Sequence, residues 1–151
     1  MTPVHEITLA PGAAVRFSKT VGESDVYLFA GITGDLSPNH VDAAFMANTP
    51  YGERIAHGAL IVGYMSTAST RMVEEAVRQG CVLVAVSLGY DRIRFIEAVR
   101  IGDTITVDYT ITEVDQAASR TRSAIEVKNR AGQLVAVATH IMKWLDPLPA
   151  G

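Results

Sequence analysis

One carboxylate and one imidazole lie five residues apart within residues 34–40, which read GDLSPNH. Ser37 and Pro38 interrupt any helix here, so the segment is predicted to be a rigid turn that carries both side chains. Asp35 and His40 are the side-chain types best suited to share a proton near neutral pH, and a turn can aim both at one bound water. The spacing therefore indicates a candidate acid–base site. The structural alternative is an Asp that caps a turn and a His at the surface.

A second candidate lies where the longest apolar helix is predicted to begin, at His57 and Gly58. The first N–H groups of a helix have no acceptor within it. The N–H of Gly58 could therefore donate to a ligand carbonyl, and the helix dipole would stabilise negative charge developing on that oxygen. The alternative for Gly58 is a packing glycine. His57 could be a metal ligand or a base, but we favour a structural hydrogen-bonding residue that supports the site.

Ser66 lies eight residues after Gly58, about two turns along the same helix face. It could reach a cleft and hydrogen-bond Asp35 or a ligand, or it could bond back to a carbonyl of its own helix. The residues leave both readings open. The four histidines and Cys81 do not fall at ligand spacing, so no metal site is predicted.

The elements that must position these residues follow from the hydrophobic periodicity. Ser24 is predicted to cap a helix that ends before Gly34, and residues 42–48 form a short helix. The long helix is predicted over about residues 58–77, with Gly58 and Gly63 allowing close backbone approach. Strands are predicted at residues 14–21, 82–92, 104–112, 121–129 and 134–144. Consecutive strands with short turns favour an antiparallel meander, so the predicted class is α+β with the sheet wrapped around the helix.

Composition narrows the class of protein. The 151 residues fit one domain, residues 1–151, and 48% of them are hydrophobic, so some surface can be hidden in an oligomer. A net charge of −3 without a basic run argues against nucleic acid. The longest apolar stretch, residues 59–65, is too short for a bilayer, and the N-terminus lacks a signal-peptide pattern. Cys81 is the only cysteine and is predicted to be a buried, inert thiol, which suits a reducing cytoplasm.

Taken together, these segments resemble a known family. Residues 29–40 resemble the hydratase 2 motif of the MaoC-like dehydratases, the (R)-specific enoyl-CoA hydratases. That motif reads as an aromatic residue, Gly or Ser followed by Asp, then Asn-Pro, an apolar residue and His. The similarity extends over residues 49–52, 55–58 and 95–104, and it is clear over about residues 24–110. Ser37 stands where the family usually has Asn, and Asn39 where it usually has an apolar residue.

The resemblance implies a hotdog fold, in which a curved antiparallel sheet wraps a long central helix, and an assembly that is at least a homodimer. It implies that Asp35 and His40 are the catalytic pair. Gly58 matches the residue whose backbone N–H holds the thioester oxygen, and Ser66 falls at the position of a family active-site Ser.

The activity implied is reversible hydration of a 2-enoyl-CoA or enoyl-acyl-carrier thioester to the (R)-3-hydroxyacyl thioester, with Asp35 and His40 activating a water. No cofactor is expected, because coenzyme A is part of the substrate. One alternative is a hotdog acyl-CoA thioesterase, in which a carboxylate drives hydrolysis and His40 is dispensable. Another is a non-catalytic hotdog protein that only binds acyl-CoA. Neither nucleic acid nor a membrane is an expected partner.

Overall fold

A five-stranded antiparallel sheet wraps around one long helix in the computed structural model, which describes residues 2–148. The strands are β1 (Ala14–Thr20), β2 (Val84–Phe95), β3 (Thr104–Asp115), β4 (Arg120–Asn129) and β5 (Leu134–Leu145). Their order in the sheet is β1-β3-β4-β5-β2. The helices are α1 (Glu23–Thr33), α2 (Pro38–Val41), α3 (Ala43–Ala47) and α4 (Gly58–Arg78). The predicted α+β class and hotdog arrangement are confirmed.

The core forms between one face of α4 and the concave face of the sheet. Helical spacing buries Ile61, Met65, Ala68, Met72 and Ala76 on that face. On β3, alternate residues from Ile105 to Ile111 are buried, as a half-covered strand requires. Burying each large apolar side chain stabilises the fold by roughly 1.5–3 kcal/mol. This packing fixes the direction of α4 and therefore the place of its N-terminus.

Two boundary predictions before the long helix are wrong. Gly22, and not Ser24, is the N-cap of α1, because the Asp25 carboxylate reaches back to accept the Gly22 N–H at 2.7 Å. That hydrogen bond also lowers the pKa of Asp25. Pro38 does not hold His40 in a loop. It is the first residue of α2, where its fixed φ and missing N–H are well tolerated.

The remaining features match the predictions with small differences. Strands β2 and β3 extend further than predicted, to Phe95 and Asp115. At Gly63 a Cβ would have no atom within 4 Å, so the expected close approach is not found within this chain. Cys81 is a buried free thiol, as predicted. No helix within residues 2–148 combines the length and hydropathy of a membrane span.

Candidate active site

Asp35 lies immediately beyond the end of α1. Gly34 takes the left-handed conformation, with φ of 79°, and its N–H donates to the carbonyl of Ala30 at 2.9 Å. This cap stops the helix and turns the chain at Asp35. The Asp35 carboxylate then accepts the N–H of Ser37 at 3.3 Å, and its side chain remains exposed. The Gly34 cap and the turn that follows it therefore place the Asp35 carboxylate at the surface, next to the end of α1.

His40 lies on α2 and is only 7% exposed. Its Nδ1 is 2.8 Å from the carbonyl oxygen of Ile55. A carbonyl can only accept, so Nδ1 must carry the proton and donate. Nε2 then has the lone pair, which leaves it able to accept a proton from a ligand or water. The structure therefore selects the tautomer of His40 through a hydrogen bond outside the reacting group.

His57 is the N-cap residue of α4 and is 1% exposed. Its Nε2 donates to the backbone carbonyl of Asp35 at 3.0 Å. Its ring stacks on His40 with centroids 3.7 Å apart and planes 27° apart, and Phe29 packs nearby with a centroid separation of 4.8 Å. Its Nδ1 is buried and has no hydrogen-bond partner among the described residues. His57 therefore touches both the Asp35 turn and the His40 ring.

Asp35, His40 and His57 form one cluster. One carboxylate oxygen and one nitrogen from each ring all lie within 4.8 Å of one another. A water with hydrogen bonds of about 2.8 Å at tetrahedral angles spans about 4.6 Å between two partners, so one water can join such groups. A metal ion would also be compatible with this set, since ligating histidines usually donate their other nitrogen to a carbonyl or carboxylate.

A cavity of about 350 Å³ adjoins the cluster at the start of α4. His40 and Gly58 both lie on its wall. Asp35 is not a lining residue, but its carboxylate lies close to the His40 ring. A Cβ built on Gly58 would lie 2.6 Å from ring carbons of Phe95, so only glycine fits this position without displacement. The remaining wall is mainly apolar and includes Ile55, Ala56, Ala59, Ile61, Phe95, Ile96, Ala98, Val99, Val135 and Ala136.

Ser66 lies outside this cluster within the single chain. It is exposed on α4, and its backbone carbonyl accepts the hydroxyl of Ser69 at 2.7 Å. Burial raises the pKa of Tyr90, and the neighbouring Ser66 and Ser69 side chains oppose that rise. The structure thus brings together Asp35, His40, His57 and Gly58, and it places Ser66 elsewhere on the same helix.

A second polar cluster, the His140 cluster, lies inside the sheet. His140 is fully buried, and its Nδ1 and Nε2 lie 2.7 Å and 2.8 Å from the hydroxyls of Tyr109 and Ser87. The ring of Tyr90 stacks on it at 4.4 Å. Burial lowers the pKa of His140 to about 4. The sequence analysis gave this histidine no role, because hydroxyls from two other strands supply its partners.

The sequence gives no cavity role to most of the lining residues, and Phe95, Glu97 and Asn39 are the ones that matter for the chemistry. Phe95 lies 37 positions from Gly58, and Glu97 shows no motif. For Asn39 the sequence does offer one signal, because a polar residue stands where the family usually has an apolar one. The structure shows that the hydroxyl of Ser37 donates to the side-chain oxygen of Asn39. The two departures are therefore hydrogen-bonded to each other beside the catalytic candidates.

Comparison with known proteins gives a consistent result. The family model described as MaoC like domain matches residues 6–133. The chain is 39% identical over 102 residues to an (R)-specific enoyl-CoA hydratase of Rhodospirillum rubrum, covering 67% of this chain and 65% of that protein. It therefore spans slightly less than two thirds of that relative. It is 36% identical over 117 residues to a 3-hydroxybutyryl-CoA dehydratase of Methylorubrum extorquens, covering 77% of this chain and 69% of that protein.

A solved structure supports the same fold. The (R)-hydratase from A. caviae involved in PHA biosynthesis superposes with a TM-score of 0.80, covering 93% of this chain and 98% of that chain at 24% identity. At that identity the similarity concerns the fold, and it agrees with the helix-wrapping sheet described above.

Proposed function

Because the chain belongs to the MaoC-like domain family, we propose that it is a hydro-lyase that reversibly hydrates a 2-enoyl thioester to the (R)-3-hydroxyacyl thioester. The single observation that carries this proposal is the arrangement of Asp35 and His40 within 4.8 Å, beside a cavity whose lining residues are mostly of apolar types. The names of the hydratase and dehydratase relatives support the same reaction class.

In this mechanism Asp35 and His40 hold one water between them. One of the two removes a proton as the water oxygen bonds to the β-carbon of the enoyl group. A proton is then delivered to the α-carbon, so the water is added across the double bond. Because Nδ1 of His40 donates to the Ile55 carbonyl, its Nε2 carries the lone pair and can accept a proton from the water. Positioned acid–base groups contribute about 10²–10⁴-fold in rate.

Gly58 is the proposed oxyanion donor. It begins α4, so its N–H has no acceptor inside the helix, and it lies on the cavity wall. The enolate-like oxygen that forms during water addition would accept this N–H. The helix dipole strengthens the interaction, and one such donor contributes about 10²–10³-fold.

His57 is proposed as a positioning residue, because it bonds the carbonyl of Asp35 and stacks on His40. His57→Gln keeps an N–H of similar reach, whereas His57→Leu removes it. We expect His57→Leu to lower kcat with little change in KM and to alter the pH profile of kcat, and His57→Gln to restore part of the loss. Equal loss in both variants with an unchanged pH profile would reduce His57 to a packing residue.

The proposed reaction is tested with crotonyl-CoA. Loss of the absorbance of the conjugated enoyl thioester without free thiol means hydration, and chiral analysis should then find the (R) product. Free thiol means hydrolysis by a thioesterase, and binding without turnover means an acyl-CoA-binding protein. Either of these outcomes, or an (S) product, contradicts the proposal.

A metal-independent reaction is part of the proposal. Treatment with EDTA followed by gel filtration should leave kcat/KM for crotonyl-CoA unchanged. Loss of activity that is restored by one divalent metal would show that Asp35, His40 and His57 act as ligands, and the water-activating pair would then need a metal-based mechanism.

The proposed partners are an acyl-CoA or acyl-carrier thioester and a second copy of the chain. Strand β2 is an edge of the sheet and exposes Val84, Val86 and Leu88. An apolar edge strand of this kind usually pairs or is covered. Light scattering at micromolar concentration should therefore show a homodimer or a larger assembly, and a clean monomer would contradict this. A cytoplasmic location is proposed because the buried Cys81 remains a free thiol.

A further inference from the structure

Asn39 is placed to contact the acyl group of a substrate. It lies on α2 directly before His40, is half-buried, and lines the same cavity as His40 and Gly58. Its backbone carbonyl accepts the N–H of Ile55 at 3.0 Å, which ties α2 to the segment leading into α4. The residue is therefore held at a defined position on a wall that is otherwise mainly apolar.

Only one of the two polar groups of the Asn39 side chain has a hydrogen-bond partner among the described residues. Its oxygen accepts the hydroxyl of Ser37. Its NH₂ group, which offers two donors, has no acceptor among residues 2–148. Because the oxygen already accepts the hydroxyl of Ser37, the NH₂ group is the part of the side chain that can bind a ligand in the cavity.

We propose that Asn39 is a specificity-determining residue that donates a hydrogen bond to a neutral oxygen on the acyl group, beyond the reacting double bond. This inference rests on the proposed hydration of enoyl thioesters and names its substrate class. The preferred substrates are oxygenated 2-enoyl thioesters, such as those with a 4-hydroxyl group, over plain alkyl ones.

The charge of the wall explains why the oxygen should be neutral. Glu97 is the single carboxylate among the described residues that line the cavity. A second carboxylate on the acyl group would be repelled by it, whereas a hydroxyl carries no charge. Asn39 and Glu97 therefore favour a polar but uncharged substituent.

The size of the effect follows from hydrogen-bond energetics. A site built to hydrogen-bond a substrate oxygen discriminates against the analogue that lacks it. One neutral hydrogen bond corresponds to about a two- to tenfold change in kcat/KM. This change should be visible as a ratio between two substrates, in which effects common to both cancel.

The test compares crotonyl-CoA with 4-hydroxycrotonyl-CoA in the full chain and in Asn39→Leu, which keeps the branching and the number of side-chain heavy atoms but cannot hydrogen-bond. The ratio of kcat/KM for the hydroxylated over the plain substrate should fall by about two- to tenfold in Asn39→Leu. Asn48→Leu, on the exposed end of α3, is the matched control and should keep the original ratio. Thermal melting confirms that both variants fold.

A binding measurement separates this inference from the proposed reaction. Calorimetry with butyryl-CoA and 4-hydroxybutyryl-CoA should show the same change in the ratio of Kd values without any turnover. Hydration of crotonyl-CoA with unchanged ratios in Asn39→Leu overturns the role of Asn39 and leaves the proposed function standing. Failure of hydration overturns the proposed function, and the Kd ratios then decide alone whether Asn39 recognises the hydroxyl.

A third substrate tests the choice of a neutral group. Fumaryl-CoA, which carries a carboxylate in place of the hydroxymethyl group, should be the poorest of the three for the unaltered chain. Glu97→Gln should raise its kcat/KM relative to that of crotonyl-CoA. A preference of the unaltered chain for fumaryl-CoA would overturn the assignment to neutral acyl groups.

Discussion

Two groups of buried histidines differ in how their ring nitrogens are used. In the His140 cluster both nitrogens are hydrogen-bonded, to Tyr109 and Ser87. At the start of α4, His40 and His57 each bond a backbone carbonyl through one nitrogen only. The second nitrogen of His57 has no partner among the described residues, and His40 lies on the wall of a cavity.

A structural histidine differs from a reactive one in whether both of its ring nitrogens have partners. Burial alone does not distinguish them, because all three rings are less than 10% exposed. An imidazole with both nitrogens satisfied rigidifies the core and has nothing left for a ligand. In His40, Nδ1 donates to a backbone carbonyl, which fixes the tautomer. The other nitrogen lies near a carboxylate and a cavity and can still accept or donate a proton.

The largest expected effect is at the catalytic candidates. Asp35→Asn and His40→Gln should each lower kcat/KM for hydration by about 10²–10⁴-fold, because each replaces a group that can exchange a proton with the water by an amide that cannot. The folded state should persist, since Asp35 is exposed and Gln can still donate a hydrogen bond. Steady-state kinetics with circular dichroism checks both statements. Near-normal activity in either variant would end the assignment of the pair.

The His140 cluster should instead affect stability as a function of pH. The pKa of His140 is about 4 in the folded protein and about 6.5 in the unfolded chain. Between these pH values the unfolded chain therefore binds more protons than the folded protein. The stabilisation is thus complete above pH 6.5 and is lost as the pH falls through about 4, with an upper bound of about 3 kcal/mol.

His140→Gln tests this by denaturant unfolding between pH 7 and pH 4, in parallel with the unaltered chain. The variant should be less stable at pH 7 and should lose less stability on acidification, while its hydration activity at pH 7 remains. A variant that keeps full stability but loses activity would place His140 in the active site and erase the distinction between the two clusters.

Gly58→Ala and Gly63→Ala form a matched pair on one helix. The new Cβ of Gly58→Ala would lie 2.6 Å from the Phe95 ring, and moving that ring reshapes the cavity wall. Displacement of about 1 Å near reacting groups can cost about 10²-fold, so we expect a loss of that order. Gly63→Ala meets no atom within 4 Å and should stabilise the helix by up to about 1 kcal/mol with unchanged activity. Equal activity in both variants would remove Gly58 from the site.

The smallest effect is expected at Ser66, which decides between the two regions. Ser66→Ala should lower activity by a few-fold to about a hundred-fold, less than either change at the acid–base pair, because Ser66 exchanges no proton near pH 7 and can only orient a partner group. Full activity in Ser66→Ala would contradict this prediction and would leave Ser66 as a packing residue near Tyr90. Measuring kcat/KM and the melting temperature of the same sample distinguishes these results.

Much of the fold follows from local patterns that the sequence displays directly. Alternation on β3 and helical spacing on α4 specify which faces are buried, and these elements were predicted within a few residues. The cap of α1 does not follow from the sequence in the same way, because Ser24 and Asp25 are both capping residue types and only the folded turn shows that Asp25 accepts the N–H of Gly22.

For the site, the residue types and spacing of Asp35, His40 and Gly58 can be read directly from the sequence. Tertiary structure decided which partners these groups have. The stacking of His40 on His57 and the packing of Phe95 on Gly58 join residues that are 17 and 37 positions apart. Such contacts depend on how α2 and β2 pack around the start of α4. Periodicity encodes which face of an element is buried, but it does not encode which side chain of another element will meet it.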